Sequence, residues 1–209
     1  LRKMSENKVP TSVYAESTPN PGVMKFVVNR AILFGDSQEF MNIDEAKNAP
    51  LAAKLFHFPF VKEVFIAKNF VSLTKYDMME WDDIVMEIRE FIREYLADGG
   101  VVVEDDANAA EVQQEVLGNT DSTHAPATEQ LGEIETRIVE ILEEYVAPAV
   151  ESDGGNIKFV SFEDGKVSVL LQGACSGCPS STVTLKQGIE SMLKQMLPTL
   201  VKEVIAING

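Results

Sequence analysis

Apolar side chains in the first hundred residues follow two spacings that predict different elements. Alternating runs rich in β-branched and aromatic residues predict five strands: residues 13–16, 23–29, 31–34, 60–67 and 70–75. A two-residue turn separates the last two runs and predicts a hairpin. Helical spacing recurs in two other segments, one that begins at a capping Asp44 and reaches Phe56, and one over residues 81–96. We therefore expect a small α+β domain over residues 12–100.

The chain from residue 131 onwards shows the order helix, strand, strand, helix, strand. Helical spacing starts at Leu131 and is expected to stop at Pro148, because proline lacks the amide donor that a helix interior needs. An Asp-Gly turn between two alternating runs predicts a tight hairpin. The paired glycines Gly154 and Gly155 are expected to form a turn with unusual backbone angles, which we favour over a role in placing the cysteine loop. This order predicts a second domain, α-β-β-α-β, over residues 131–209.

The segment between the two predicted domains is acidic and poor in large apolar residues. Residues 101–130 carry seven acidic and no basic side chains, which is nearly half of the net charge of -15 of the whole chain. Such a composition cannot bury enough apolar surface to offset the entropy of ordering it. The sequence therefore predicts an acidic flexible linker that joins two small α+β domains.

Charge and hydropathy exclude two classes of partner. A net charge of -15 opposes nucleic-acid binding, which needs clustered lysine and arginine. No apolar run approaches the ~18 residues of a membrane-spanning helix. The N-terminus shows no signal peptide and no Arg-rich, acid-poor leader, which favours the bacterial cytoplasm over an organelle that removes a transit peptide.

The candidate chemistry lies in two cysteines, Cys175 and Cys178, in the run G-A-C-S-G-C-P-S-S. The residues after Cys178 suit the first turn of a helix, whose free amides and positive dipole end favour an anionic thiolate. An all-cysteine iron-sulfur cluster or a tetrahedral zinc needs four ligands, so one chain falls short by two. His57 and His124 lie elsewhere and are expected to be packed or solvated. Two chains that bring their C-x-x-C loops together would supply four sulfurs.

Three other interpretations of this cysteine pair stay open on the residues alone. A thiol-disulfide oxidoreductase would use the dithiol as a redox couple, although the strand before it belongs to a hairpin and no βαβ unit is expected. A zinc-bridged interaction module would use the same four sulfurs. Two inert thiols are the third possibility.

Residues 131–209 resemble the cluster-binding domain of the NifU-like (Nfu) family. The resemblance rests on D-G-G-N-I-K-F-V at residues 153–160, E-D-G-K-V at 163–167 and L-Q-G-A-C-S-G-C-P-S-S-T-V-T-L-K-Q-G-I-E at 171–190. The preceding domain is similar to the N-terminal domain of Nfu proteins, through T-P-N-P-G-V-M-K-F at 18–26 and A-P-L-A-A-K-L-F at 49–56.

The resemblance implies a carrier or scaffold and no enzyme. Such a protein holds a 4Fe-4S cluster between two subunits of a homodimer, with Cys175 and Cys178 of each chain as ligands. It passes the cluster to apo iron-sulfur proteins and can receive it from upstream assembly proteins. We expect the N-terminal domain to recognise recipients, while the linker lets the two domains search independently.

Overall fold

The computed structural model describes residues 9–104, 132–176 and 179–208, without the side chains of residues 179–181 and 208. The chain divides into two compact units, Leu1–Val116 and Leu117–Gly209. Each unit combines helices with a sheet, so the predicted α+β class is confirmed. Of the linker predicted over residues 101–130, Val102 and Val103 are buried in the core of the first unit, and residues 105–130 lie outside the described residues.

The N-terminal unit is an antiparallel sheet covered on one face by helices. Its strands are β1 (Val13–Ser17), β2 (Val23–Val28), β3 (Gln38–Phe40), β4 (Val61–Ala67) and β5 (Phe70–Lys75), in the order β1-β2-β5-β4-β3. A 3₁₀ turn (Glu45–Asn48) and α1 (Pro50–Leu55) precede β4, and α2 (Trp81–Ala97) follows β5. The predicted apolar stripe of α2 is confirmed, since Ile84, Ile88 and Ile92 are buried against this sheet.

Two predictions for this unit were wrong. Residues 31–34 form no strand, because Ile32 and Leu33 pack into the core while both of their amides donate to the Lys68 carbonyl in the hairpin turn. The helix expected from Asp44 to Phe56 breaks at Ala49, whose φ of -126° and ψ of 79° leave the helical region. The residue before a proline is disfavoured in that region, and Pro50 follows.

The C-terminal unit contains the cysteine loop. Its elements are α3 (Glu133–Ile141), a π-helical turn (Leu142–Val146), α4 (Ala147–Ser152), β6 (Gly155–Glu163), β7 (Lys166–Gly173), α5 (Pro179–Met196) and β8 (Glu203–Asn208). Asp164 and Gly165 both have positive φ, 51° and 84°, which confirms the predicted tight hairpin between β6 and β7. The strand order β6-β7-β8 places β7 at the centre of the sheet.

Two further predictions were wrong in this unit. Pro148 does not end the first helix, because the Ala147 amide donates to the carbonyl of Leu142, five residues back, and this wider turn carries the chain past the proline. The strand before the cysteines does belong to a βαβ unit: β7 pairs antiparallel with β6 and parallel with β8, and α5 makes the crossover. In the hairpin, β6 pairs with only one edge of β7. The local pattern of β7 does not indicate which strand pairs with its other edge.

No helix in the described parts of the chain is long and apolar enough to cross a lipid bilayer.

Candidate functional site

Cys175 lies in the loop between the central strand β7 and the helix α5. Its side chain is 6% exposed and belongs to the apolar core of the C-terminal unit. Cys178, the other predicted ligand, lies outside the described residues, and α5 begins directly after it at Pro179. The fold therefore holds one thiol of the predicted pair inside the domain, at the end of the sheet that leads into the loop.

Hydrogen bonds fix the loop on both sides of Cys175. The Ala174 amide donates to the Gly154 carbonyl at 3.2 Å, which ties the loop to the turn before β6. The amide and the hydroxyl of Ser176 both donate to the Gly173 carbonyl, at 3.1 and 2.9 Å. The Thr182 hydroxyl, on α5, donates to the Cys175 carbonyl at 3.1 Å. The backbone of Cys175 is thus held by the strand, by the preceding turn and by the helix.

The paired glycines serve two different purposes. Gly154 has a φ of 83°, as predicted for a turn glycine, and Gly173 at the loop start has a φ of 68°. Gly155 lies in β6 and is required for space: a Cβ there would stand 2.6 Å from the Gln172 carbonyl oxygen and 2.8 Å from Cys175 Sγ. The sequence analysis favoured the turn for both glycines over a role in placing the cysteine loop, because the close approach of Gly155 to Cys175 depends on the pairing of β6 with β7.

Burial, with a smaller contribution from the nearby Asp153 carboxylate, raises the pKa of the Cys175 thiol to about 11. The raised pKa of Cys175 is opposite in direction to the activated thiolate expected next to the start of α5. Removal of a thiol from water disfavours its charged form, and a nearby carboxylate adds to this effect. In the free protein Cys175 is therefore a neutral thiol near pH 7, a weak nucleophile that is shielded from solvent.

Of the two histidines of the chain, only His57 lies in the described residues. His57 is exposed, and its Nδ1 donates to the Ala53 carbonyl at 2.8 Å, as expected for a solvated histidine. His124 lies outside the described residues. Within the described ranges, no three histidine, cysteine, aspartate or glutamate side chains converge to hold a metal ion.

Comparison with known proteins assigns both units to one family. Residues 13–99 match the family model of the Nfu/NifU scaffold protein N terminus, and residues 138–205 match the NifU-like domain. The human protein named NFU1 iron-sulfur cluster scaffold homolog, mitochondrial, is 32% identical over 89% of this chain and 68% of its own. The chain belongs to the NifU-like (Nfu) family. The resemblance seen in the cysteine loop and in the N-terminal motifs is thereby confirmed.

Other Nfu relatives are longer than this chain. NifU-like protein 4, mitochondrial, from Arabidopsis thaliana is 36% identical over 87% of the chain, which spans 61% of that relative. A solution structure of a NifU-like protein from Saccharomyces cerevisiae aligns with 49% of the chain and 91% of its own, at 24% identity and a TM-score of 0.40. The family assignment of this Nfu chain rests on the sequence comparisons.

Proposed function

We propose that this protein is an iron-sulfur cluster carrier or scaffold that binds a 4Fe-4S cluster between two subunits and transfers it to apo-proteins. One observation carries the proposal. Cys175 lies in a NifU-like domain, in a loop that hydrogen bonds hold in place. The loop follows Gly173, which is the last residue of β7 and pairs with Gly155 of β6. Relatives of the chain are named iron-sulfur cluster scaffolds.

Ligand stoichiometry supports the shared site. Each chain has two cysteines, and a cluster bound only by cysteine needs four. Two loops related by a two-fold axis provide Cys175 and Cys178 twice. The cluster is cargo, so the protein has no catalytic residues and turns over no substrate.

Exchange of thiolates provides a route for release. A recipient's cysteine thiolate replaces a thiolate of the carrier at iron, one ligand at a time, so the number of iron-sulfur bonds is conserved. The Cys175 sulfur that leaves then takes up a proton from solvent, and its burial favours the protonated form. A site that stabilises the neutral thiol after the cargo has left suits a carrier better than a permanent store.

The relatives also bear on partners and compartment. Apo iron-sulfur proteins are the recipients in this proposal, and upstream assembly proteins are a source of the cluster. The N-terminal unit recognises recipients, and the acidic linker lets it do so while the C-terminal unit carries the cargo. The relatives named above are mitochondrial proteins, which supports an organellar location and gives no support to the bacterial cytoplasm.

The thiol-disulfide oxidoreductase is the alternative from another class. The βαβ unit of β7, α5 and β8 removes the structural objection to it. The raised pKa of Cys175 still opposes it, since such enzymes attack through a low-pKa thiolate.

Anaerobic loading of the full chain with iron and sulfide tests the proposal. We expect a brown dimer that carries half of a 4Fe-4S cluster per chain and gives it to an apo-ferredoxin. Cys175→Ser and Cys178→Ser should each abolish colour and dimer, while Ser191→Ala on an exposed position of α5 should change neither. A colourless monomer with disulfide reductase activity, or a dimer that retains zinc in preference to iron, would overturn it.

A further inference from the structure

The three strands of the C-terminal sheet carry two faces of different chemistry. Val167, Val169 and Leu171 of β7 point into the core, so the residues between them lie on the opposite face. The register joins these opposite-face residues into rows across the strands. The rows are Glu163, Lys166 and Glu203; then Ser161, Ser168 and Ile205; then Lys158, Leu170 and Ile207. We call this surface the outer face.

The outer face has an exposed apolar centre. Ile205 and Ile207 of β8 are 37% and 42% exposed, and the half-buried Leu170 stands beside Ile207 in the register. Strand β8 also forms one edge of the sheet, next to β7 alone. β-Branched side chains side by side on an edge strand are suited to burial against another surface.

The charges around this centre are balanced, although the chain is strongly acidic. Lys158 and Lys166 on the outer face are offset by Glu163 and Glu203, while the whole chain has a net charge of -15. Two acidic chains repel each other over most orientations. A neutral surface with both signs is where a second copy can approach, because a two-fold axis can place basic residues opposite acidic ones.

The outer face also borders the cysteine loop. Because β8 runs parallel to β7, its last paired residue, Asn208, stands opposite Leu171, and the loop begins just beyond Gly173. Two copies in contact through this end of the sheet would have their loops at the rim of the same interface.

We propose that the outer face, with Leu170, Ile205 and Ile207 at its centre, is the surface on which a second copy of this chain docks to share the cluster. The proposal rests on the function proposed above, since the four-sulfur site requires two chains. The contact is isologous: the same residues meet across the two-fold axis, apolar centre on apolar centre. The sheet contact holds the two chains together, and the cluster lies at the rim of the interface, where the cysteine loop of each chain turns out of its core to reach it.

Variants that place a charge at the centre of the outer face test the proposed docking surface. In anaerobically loaded full chain, Ile205→Glu and Ile207→Glu should each weaken the dimer by about tenfold or more, because each copy buries an unpaired carboxylate. Ile134→Glu on α3 is the matched control, since Ile134 is also an isoleucine that is 37% exposed, and it should leave mass and iron content unchanged. Mass by light scattering and iron per chain are the readouts, and far-UV circular dichroism of the free protein checks folding.

A second variant and a second measurement cover the case in which a glutamate on β8 disturbs the fold. Glu203→Lys lies at the exposed rim, gives each face a net positive charge, and should weaken the loaded dimer at low salt and less so at high salt. Amide hydrogen exchange of residues 203–208 should slow when the wild-type protein is loaded.

The outcomes separate the docking surface from the carrier function. If wild-type protein forms a loaded dimer that the cysteine variants lose, while the outer-face variants load and dimerise as wild type does, the docking surface is wrong and the carrier function stands. Unchanged amide exchange in β8 of the loaded dimer also excludes the docking surface. If wild-type protein forms no loaded dimer, the proposed function itself fails.

Discussion

Cys175 Sγ lies 2.8 Å from the point that a Cβ on Gly155 would occupy. Real Cβ atoms essentially never approach a neighbour so closely, so a glycine at this position in β6 is a condition for the thiol to stay where it is. The candidate ligand and the strand that faces it are thereby one packing unit.

Gly155→Ala should displace the cysteine loop. Overpacking of this kind destabilises by about 1–3 kcal/mol, and here the atoms that must move are the Gln172 carbonyl and the thiol itself. We expect a lower midpoint of chemical denaturation and a loss of cluster binding in the same variant.

Gly188→Ala is the matched control for that change. Gly188 lies within α5, and a Cβ there would meet nothing within 4 Å. Alanine is favoured over glycine in a helix interior by roughly 0.5–1 kcal/mol, so this variant should gain stability and load normally. Equal losses of stability and of cluster binding in both variants would contradict a specific role for the contact between Gly155 and Cys175.

Alkylation of Cys175 in the free protein should depend on pH in a manner set by burial. In a Cys178→Ser background, a pKa of about 11 against about 8.5 for a free thiol predicts a rate at pH 8 lower by on the order of a hundredfold than that of glutathione. Asp153→Asn should raise the rate, because it removes a carboxylate that disfavours the thiolate. A rate that levels off near pH 8 would contradict the raised pKa.

The raised pKa of Cys175 also makes a prediction for stability. Folding raises the pKa of this thiol, so the folded state binds the proton more tightly than the unfolded chain. The stabilisation from neutral Cys175 should be complete below pH 8 and should be lost as the pH rises towards about 11. The measurement compares the free energy of unfolding of Cys178→Ser with that of the double variant Cys175→Ser/Cys178→Ser from pH 7 to pH 11. The difference between the two variants should shrink as the pH rises.

Thr182→Val should loosen the loop without changing its ligands. The variant keeps the shape of the side chain and removes the hydroxyl that donates to the Cys175 carbonyl. Loss of one such bond costs about 0.5–1.5 kcal/mol, and we expect faster amide exchange over residues 174–176 together with faster loss of cluster to a chelator. Thr199→Val, at an exposed position after α5, is the control and should match wild type in both measurements.

Trp81→Phe should destabilise the N-terminal unit. The indole Nε1 of Trp81 donates to the Pro21 carbonyl at 3.0 Å, and its ring packs edge-on against Phe26. Phenylalanine keeps most of the ring contact and leaves the carbonyl without this donor, so a loss of about 1 kcal/mol is expected in denaturant melts. Iron content of the loaded protein should be unchanged, since the proposed ligands lie in the other unit.

Local patterns predicted local structure well, and long-range pairing poorly. The Asp164-Gly165 turn and the stripe through Ile84, Ile88 and Ile92 were correct because neighbours in sequence determine them. The strand predicted at Ile32 and Leu33 was wrong. Apolar residues that pack into the core outside a strand give the same sequence pattern as the apolar residues of a strand. β8, the parallel partner of β7, follows it in the sequence only after α5. No pattern in either strand predicts that the two pair.

The candidate site was also predicted only in part from the sequence. Spacing of the cysteines and the flanking family motif led to Cys175 and Cys178, and Cys175 lies where a loop at the end of the sheet is fixed. Its burial and its raised pKa could not be predicted from the loop, because they depend on how the loop packs into the core of the C-terminal unit and on the nearby Asp153. Gly155 was assigned to the wrong role for the same reason.

The parallel pairing of β7 with β8 has a consequence for the order of folding. The hairpin of β6 and β7 joins neighbours in sequence and can form in about 1–10 μs, whereas Val167 meets Val204 only after the cysteine loop and α5 have been brought round. The loop that holds Cys175 lies inside the segment that this late step closes. We therefore expect the loop around Cys175 to be fixed after the hairpin has formed, so that cluster loading of a newly made chain trails the appearance of the hairpin.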